Sequence, residues 1–152
     1  MRIDHLICRV PDIRAAHTAM RELGFSEAWP VGPFWRPHLT SGLHLGGLNL
    51  ELFQPAEGID GPIADTVVFA GDPPPGYRIA VKTEADPELL RLRGFSGERE
   101  ETICTNGFPP SDDPFDHFFC RYAPSLADRL AVPEGPFGSV TEVAIETPDR
   151  SG

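Results

Sequence analysis

Residues 2 to 55 carry a strand, a helix and three further strands in that order, and this succession constrains the fold more than any other property of the chain. Ile3-Asp4-His5-Leu6-Ile7-Cys8-Arg9-Val10 alternates as a strand, which sets His5 and Ile7 on one face and Leu6, Cys8 and Val10 on the other. Pro11 cannot donate to a strand ladder and Asp12 is a favoured N-cap, so a helix is expected to begin there. Ile13, Ala16, Met20 and Leu23 recur at helical spacing and predict one apolar stripe against a sheet, with Gly24 as the C-terminal stop. His17 is expected to face solvent on that helix. Phe25 to Val31 reads as a second strand. Ser41 to Leu45 and Leu48 to Phe53 read as two more, joined by a tight turn at Gly46-Gly47. In the last of these, Asn49, Glu51 and Phe53 share a face opposite Leu48, Leu50 and Leu52. If that strand returns beside the first, His5 and Glu51 point into the same cavity.

The pattern recurs, less clearly, further on. Residues 56 to 76 turn rich in Gly, Pro and Asp, with Pro73-Pro74-Pro75 as a stiff stretch, and read as a linker or insert holding at most a short strand at Thr66 to Phe69. Tyr77 to Asp86 then overlays Ile3 to Asp12 at a constant offset of 74, followed by a helical segment from Pro87 to Arg93 and Gly94-Phe95 in place of Gly24-Phe25. Strands are expected at Glu100 to Thr105 and His117 to Tyr122. Ser139 to Thr147 reads either as the last strand of this second unit or, since Pro148-Asp149 matches Pro11-Asp12, as the opening of a further one in a longer protein. The expected organisation is one domain: module one over 1–55, the linker over 56–76 and module two over 77–152.

Charge narrows the partners. Asp and Glu number 23 against 13 Lys and Arg, for a net charge of −10, and a field of that sign repels nucleic-acid phosphates and anionic lipid. No apolar run reaches the roughly 20 residues of a membrane span, and the N-terminus enters a strand at once, without the apolar stretch of a secretory signal. Cys8, Cys104 and Cys120 are odd in number and widely spaced, which suits reduced thiols in the cytoplasm.

Ile3-Asp4-His5-Leu6-Ile7, Val10-Pro11-Asp12, Leu23-Gly24-Phe25 and Leu50-Glu51-Leu52 together resemble the glyoxalase/bleomycin-resistance/dioxygenase superfamily, the vicinal oxygen chelate proteins, most closely over residues 3 to 54. The resemblance implies an α+β fold of two βαβββ modules whose curved, mixed and mostly antiparallel sheet surrounds a cleft. In metalloenzymes of that superfamily a divalent ion in the cleft is held by first-strand and last-strand side chains of both modules. Carried over, His5 and Glu51 are the metal ligands of module one, and Glu142 or Glu146 is the remaining carboxylate. The first-strand position of module two falls on Ile79, which cannot bind a metal.

Two functions compete on that basis. The cleft is expected to hold a small organic molecule beside an incomplete metal site, with His5, Ile7, Trp29, Phe34, Trp35, Asn49, Glu51, Phe53, Ile79 and Val81 lining it and either no cofactor or a weakly bound divalent metal. The alternative is a metal-dependent lyase, isomerase or dioxygenase in which Glu51 is the general base and His5 or the metal polarises a substrate oxygen. His38 and His44 lie near the expected mouth, and His117 carries no assigned role. A homodimer follows from the pairing common among single-domain members of the superfamily, and the aromatic loop offers a purely structural role as a third reading.

Overall fold

A computed structural model describes residues 2–33, 37–59, 65–82, 104–110, 116–122, 136 and 138–144. Their order is β1 (Arg2–Arg9), α1 (Ile13–Glu22), β2 (Glu27–Pro33), β3 (Leu39–His44), β4 (Asn49–Gln54), β5 (Thr66–Ala70), β6 (Arg78–Lys82), β7 (Cys104–Phe108) and β8 (His117–Tyr122). The fold is α+β and dominated by sheet. All eight strands form one mixed sheet in the order β2-β3-β4-β1-β5-β8-β7-β6.

Helix α1 starts and stops for local reasons. The Asp12 carboxylate accepts from the Ala15 N–H at 3.0 Å and satisfies a donor that the first turn leaves unpaired. At the other end Gly24 takes a φ of +96°, its N–H bonds to the Arg21 carbonyl, and the Phe25 N–H reaches back to Met20. This pair of bonds is a Schellman motif, which requires the left-handed conformation that glycine adopts without strain. Ile13, Ala16 and Met20 pack with Cys8, Leu39, Leu43, Leu50 and Leu52, so α1 covers the sheet through the stripe expected of it. Leu23 departs from that stripe: it is the C-cap, and it lies 62% exposed. His17 departs the other way. It is buried, with its Nε2 2.9 Å from Glu27 on β2, because α1 lies close enough to that strand to bring a polar helix position under cover.

The first module closes as its sequence suggests. Gly46 and Gly47 both take positive φ and the Leu45 N–H bonds to the Leu48 carbonyl, the two-residue turn that joins β3 to β4. Strand β4 then runs parallel to β1, with His5 opposite Asn49 and Ile7 opposite Glu51.

The second half differs from the offset-74 repeat. The strand that pairs antiparallel with β1 is β5, inside the segment read as a linker, while β6 lies at the far edge of the sheet. Strand β5 runs parallel to β8 just as β1 runs parallel to β4. The two halves, β2-β3-β4-β1 and β5-β8-β7-β6, therefore mirror each other across the β1/β5 junction. The likeness between Tyr77–Asp86 and Ile3–Asp12 was one of composition. Strand register depends on which face must be buried, and Thr66-Val67-Val68-Phe69-Ala70 is the run able to bury both. The helical segment at 87–93 lies outside the described residues, as does the start of the strand expected from residue 100. The strand expected at 139–147 is absent from its described part: residues 139–144 form no strand, and the Val140 N–H bonds to Gly46 at the β3–β4 turn. Among the described residues no helix is long and apolar enough to cross a membrane.

Candidate functional site

Alternation along the strands sends a second set of side chains to the face of the sheet away from α1, here the distal face. Ile7, Phe53, Val68, Cys104, Phe118 and Cys120 form its buried apolar cluster, with Phe108 and Tyr122 against it. His5 and Glu51 sit among them. The His5 Nε2 and a Glu51 carboxylate oxygen are 3.6 Å apart, and the two residues are only 8% and 3% exposed. A charged or strongly polar pair at that depth is costly unless other groups compensate it.

Part of the compensation comes from a residue that the alternation assigns to the other face. The pairing of β1 with β5 shifts register between Ile3 and His5, a bulge at Asp4. A bulge sets two residues against one on the partner strand and re-aims a side chain. The Asp4 carboxylate meets the His5 Nδ1 at 2.7 Å and accepts from the Tyr122 hydroxyl at 3.1 Å. Burial alone pulls the Asp4 carboxyl upward. The hydrogen bond and charge of His5, then the Tyr122 hydroxyl and Arg2, outweigh it and hold Asp4 below the ordinary carboxylate value. Asp4 is thus the anionic acceptor, and Glu51, His5, Asp4 and Tyr122 form a polar chain running from β4 through β1 to β8. The Phe118 ring stands edge-on to the His5 imidazole, 6.5 Å between centroids.

This depression has a stability consequence. A carboxyl held low in the fold stabilises the protein above its ordinary value, and that contribution is lost as pH falls through the lower folded value. Urea unfolding from pH 7 down to pH 2 is expected to show a loss of stability below about pH 4 that is smaller in Asp4→Asn. Parallel pH profiles for the two proteins would contradict it.

The other expected site residues divide. Ile7 and Phe53 are buried beside the pair, and Asn49, opposite His5, faces the His44 Nδ1 at 2.8 Å. Trp29 is buried with its indole flat over Gly42, which pairs with Glu51, and its Nε1 donates to Thr40 Oγ1 at 3.4 Å. These residues therefore come together on one face. Ile79 does not join them: it is 52% exposed on edge strand β6, opposite Gly107, and β6 does not occupy the place beside β1 that the offset-74 alignment gave it. Val81 falls on the same edge strand, opposite Thr105. Glu142 is exposed on the segment after residue 138, in no strand. Phe34, Trp35 and Glu146 lie outside the described residues. His38 is buried against the Phe53 ring at 5.2 Å and its Nδ1 accepts from the Ala56 N–H. His117 is buried among Phe69, Tyr77 and Phe119, its Nε2 2.7 Å from the Tyr77 hydroxyl.

Asp4, Tyr122 and Asn106 are among the polar residues of this face that strand alternation and resemblance did not single out. Asn106 pairs with Cys120, is 7% exposed, and its Oδ1 has no hydrogen-bond partner among the described residues. A cavity of about 330 Å³ lies elsewhere, at the ends of β1 and β4, lined by Arg9, Val10, Pro11, Gln54 and Pro55.

The donor set can be tested against a divalent ion. Where β1 presents His5 and Ile7, β5 presents Val68 and Thr66, and β8 offers Phe118 and Cys120. The Cys104 thiol beside it, and burial after that, push the Cys120 thiol above its ordinary value. Asp4 engages Nδ1, the ring nitrogen remote from Glu51. Among the described residues no group of three His, Cys, Asp or Glu side chains is placed to hold a metal ion. His5 and Glu51 fall short of the three protein ligands of a catalytic zinc site. No protein-family model, curated protein or solved structure matches the chain.

Proposed function

We propose that the protein binds a small, largely apolar organic molecule against the distal face of its sheet, and that its two mirrored halves are the paired modules of a glyoxalase-like protein whose metal site is incomplete. One observation carries this reading: His5 and Glu51 meet at 3.6 Å beside the apolar cluster of Ile7, Phe53, Val68 and Phe118. Apolar walls with a few convergent polar groups are how small-molecule sites combine affinity with orientation. The mirrored strand order supports the family reading, since it gives each half a first strand flanked by its own parallel partner.

Calorimetric titration with 1-naphthol, an apolar bicycle with one hydroxyl, tests the proposal. One saturable site per chain is expected, weakened about tenfold in His5→Ala, as for loss of one hydrogen bond to a charged or buried partner. Affinity unchanged by His5→Ala would place the ligand elsewhere. Dialysis against Zn²⁺ or Mn²⁺ that left one ion per chain, lost in His5→Ala, would favour the metal-dependent lyase, isomerase or dioxygenase instead.

A further inference from the structure

The bulge at Asp4 does more than give one nitrogen of a buried imidazole a partner. A neutral imidazole carries one N–H, and the partner of one nitrogen decides which nitrogen keeps the proton. A carboxylate can only accept, and the Asp4 carboxylate lies 2.7 Å from Nδ1. Tyr122 donates to the same carboxylate oxygen from β8, in the other half of the sheet, and so fixes the acceptor in place. With the proton on Nδ1, Nε2 presents a lone pair, and the nearest Glu51 carboxylate oxygen is 3.6 Å from it, longer than a hydrogen bond.

We propose that Asp4, re-aimed by the β1 bulge and anchored by Tyr122, is the positioning residue that fixes His5 in its Nδ1–H tautomer, so that Nε2 is an acceptor and the site selects ligands that donate a hydrogen bond. The ligand class is an apolar compound bearing a hydroxyl, enol or N–H group. This deepens the proposed binding function and rests on it for the ligand, whereas the tautomer stands on the protein alone.

Long-range ¹H–¹⁵N correlation spectra of the imidazoles, with His5 assigned through His5→Gln, read the tautomer directly at pH 8 to 9. The expected result is a protonated Nδ1 and a bare Nε2 in the wild type, lost in Asp4→Ala. A protonated Nε2 in the wild type, or a tautomer unchanged in Asp4→Ala, overturns the proposal. The wild-type spectrum decides the matter even if Asp4→Ala does not fold. The ligand arm compares 1-naphthol with 1-methoxynaphthalene, which has the same rings but no donor. The wild type should prefer the naphthol by about tenfold and Asp4→Ala should bind the two alike. Equal binding of both by the wild type overturns the proposal and leaves the pocket intact; binding of neither removes the pocket reading and the ligand selectivity with it.

Discussion

Phe53→Ala is expected to destabilise the protein by about 4 kcal/mol, the cost typical of emptying a buried aromatic position. Phe53 is 1% exposed, shares the distal cluster with Ile7, Val68 and Phe118, and packs against the His38 ring. Its neighbours sit on paired strands whose spacing is set by backbone hydrogen bonds, so the sheet has little freedom to collapse into the space left behind. For a chain of this length the loss corresponds to a melting temperature lower by roughly 12 °C. Thermal and urea unfolding read both quantities, and a loss under 1 kcal/mol would mean that the distal face is not packed as described.

Gly42→Ala is the second large effect, and its origin is the opposite one. A Cβ at position 42 would lie 2.2 Å from Cε3 of Trp29 and within 2.4 Å of two further indole atoms. The ring is buried, its strand is paired to β3, and its Nε1 is directed to Thr40, so it cannot step aside without leaving the sheet. Overpacking of this kind costs about 3 kcal/mol. The strain falls next to Glu51, which pairs with Gly42 on the neighbouring strand. In a Trp35→Phe background, where Trp29 is the remaining tryptophan, the emission should shift to the red as the indole meets water. Unchanged emission and stability together would show that the indole does not lie over Gly42.

How far these features could be read in advance depended on whether a local rule governed them. The Asp12 cap, the Gly24 stop and the Gly46-Gly47 turn each follow from the conformational demand of a few residues, and all three stand in the structure. The shared face of His5 and Glu51 was legible for a related reason: period-two alternation holds through both strands, and the parallel return of β4 brings the faces together. What failed needed information from distant parts of the chain. Tyr77–Asp86 looks like Ile3–Asp12, yet the place beside β1 goes to β5, because pairing is settled by which run can be buried on both faces. Ile79 was misplaced with it. Asp4 was out of reach for the converse reason, since a bulge breaks the alternation from which its orientation would be inferred. His17 was taken for a solvated helix position because the approach of α1 to β2 is a matter of packing and leaves no periodic signal.

The chain from Glu51 through His5 and Asp4 to Tyr122 is the part of the molecule on which function depends in this account. It crosses from β4 to β8 and so ties the two mirrored halves together at the point where their apolar faces meet. The most direct measurement is the ¹⁵N shift of the His5 ring during titration with 1-naphthol. A saturable change at Nε2, complete at one equivalent of bound ligand, is the expected result. A His5 ring that stays constant while the amides of Arg9, Val10 and Gln54 move would put the ligand in the cavity at the ends of β1 and β4 and contradict the assignment of the distal face.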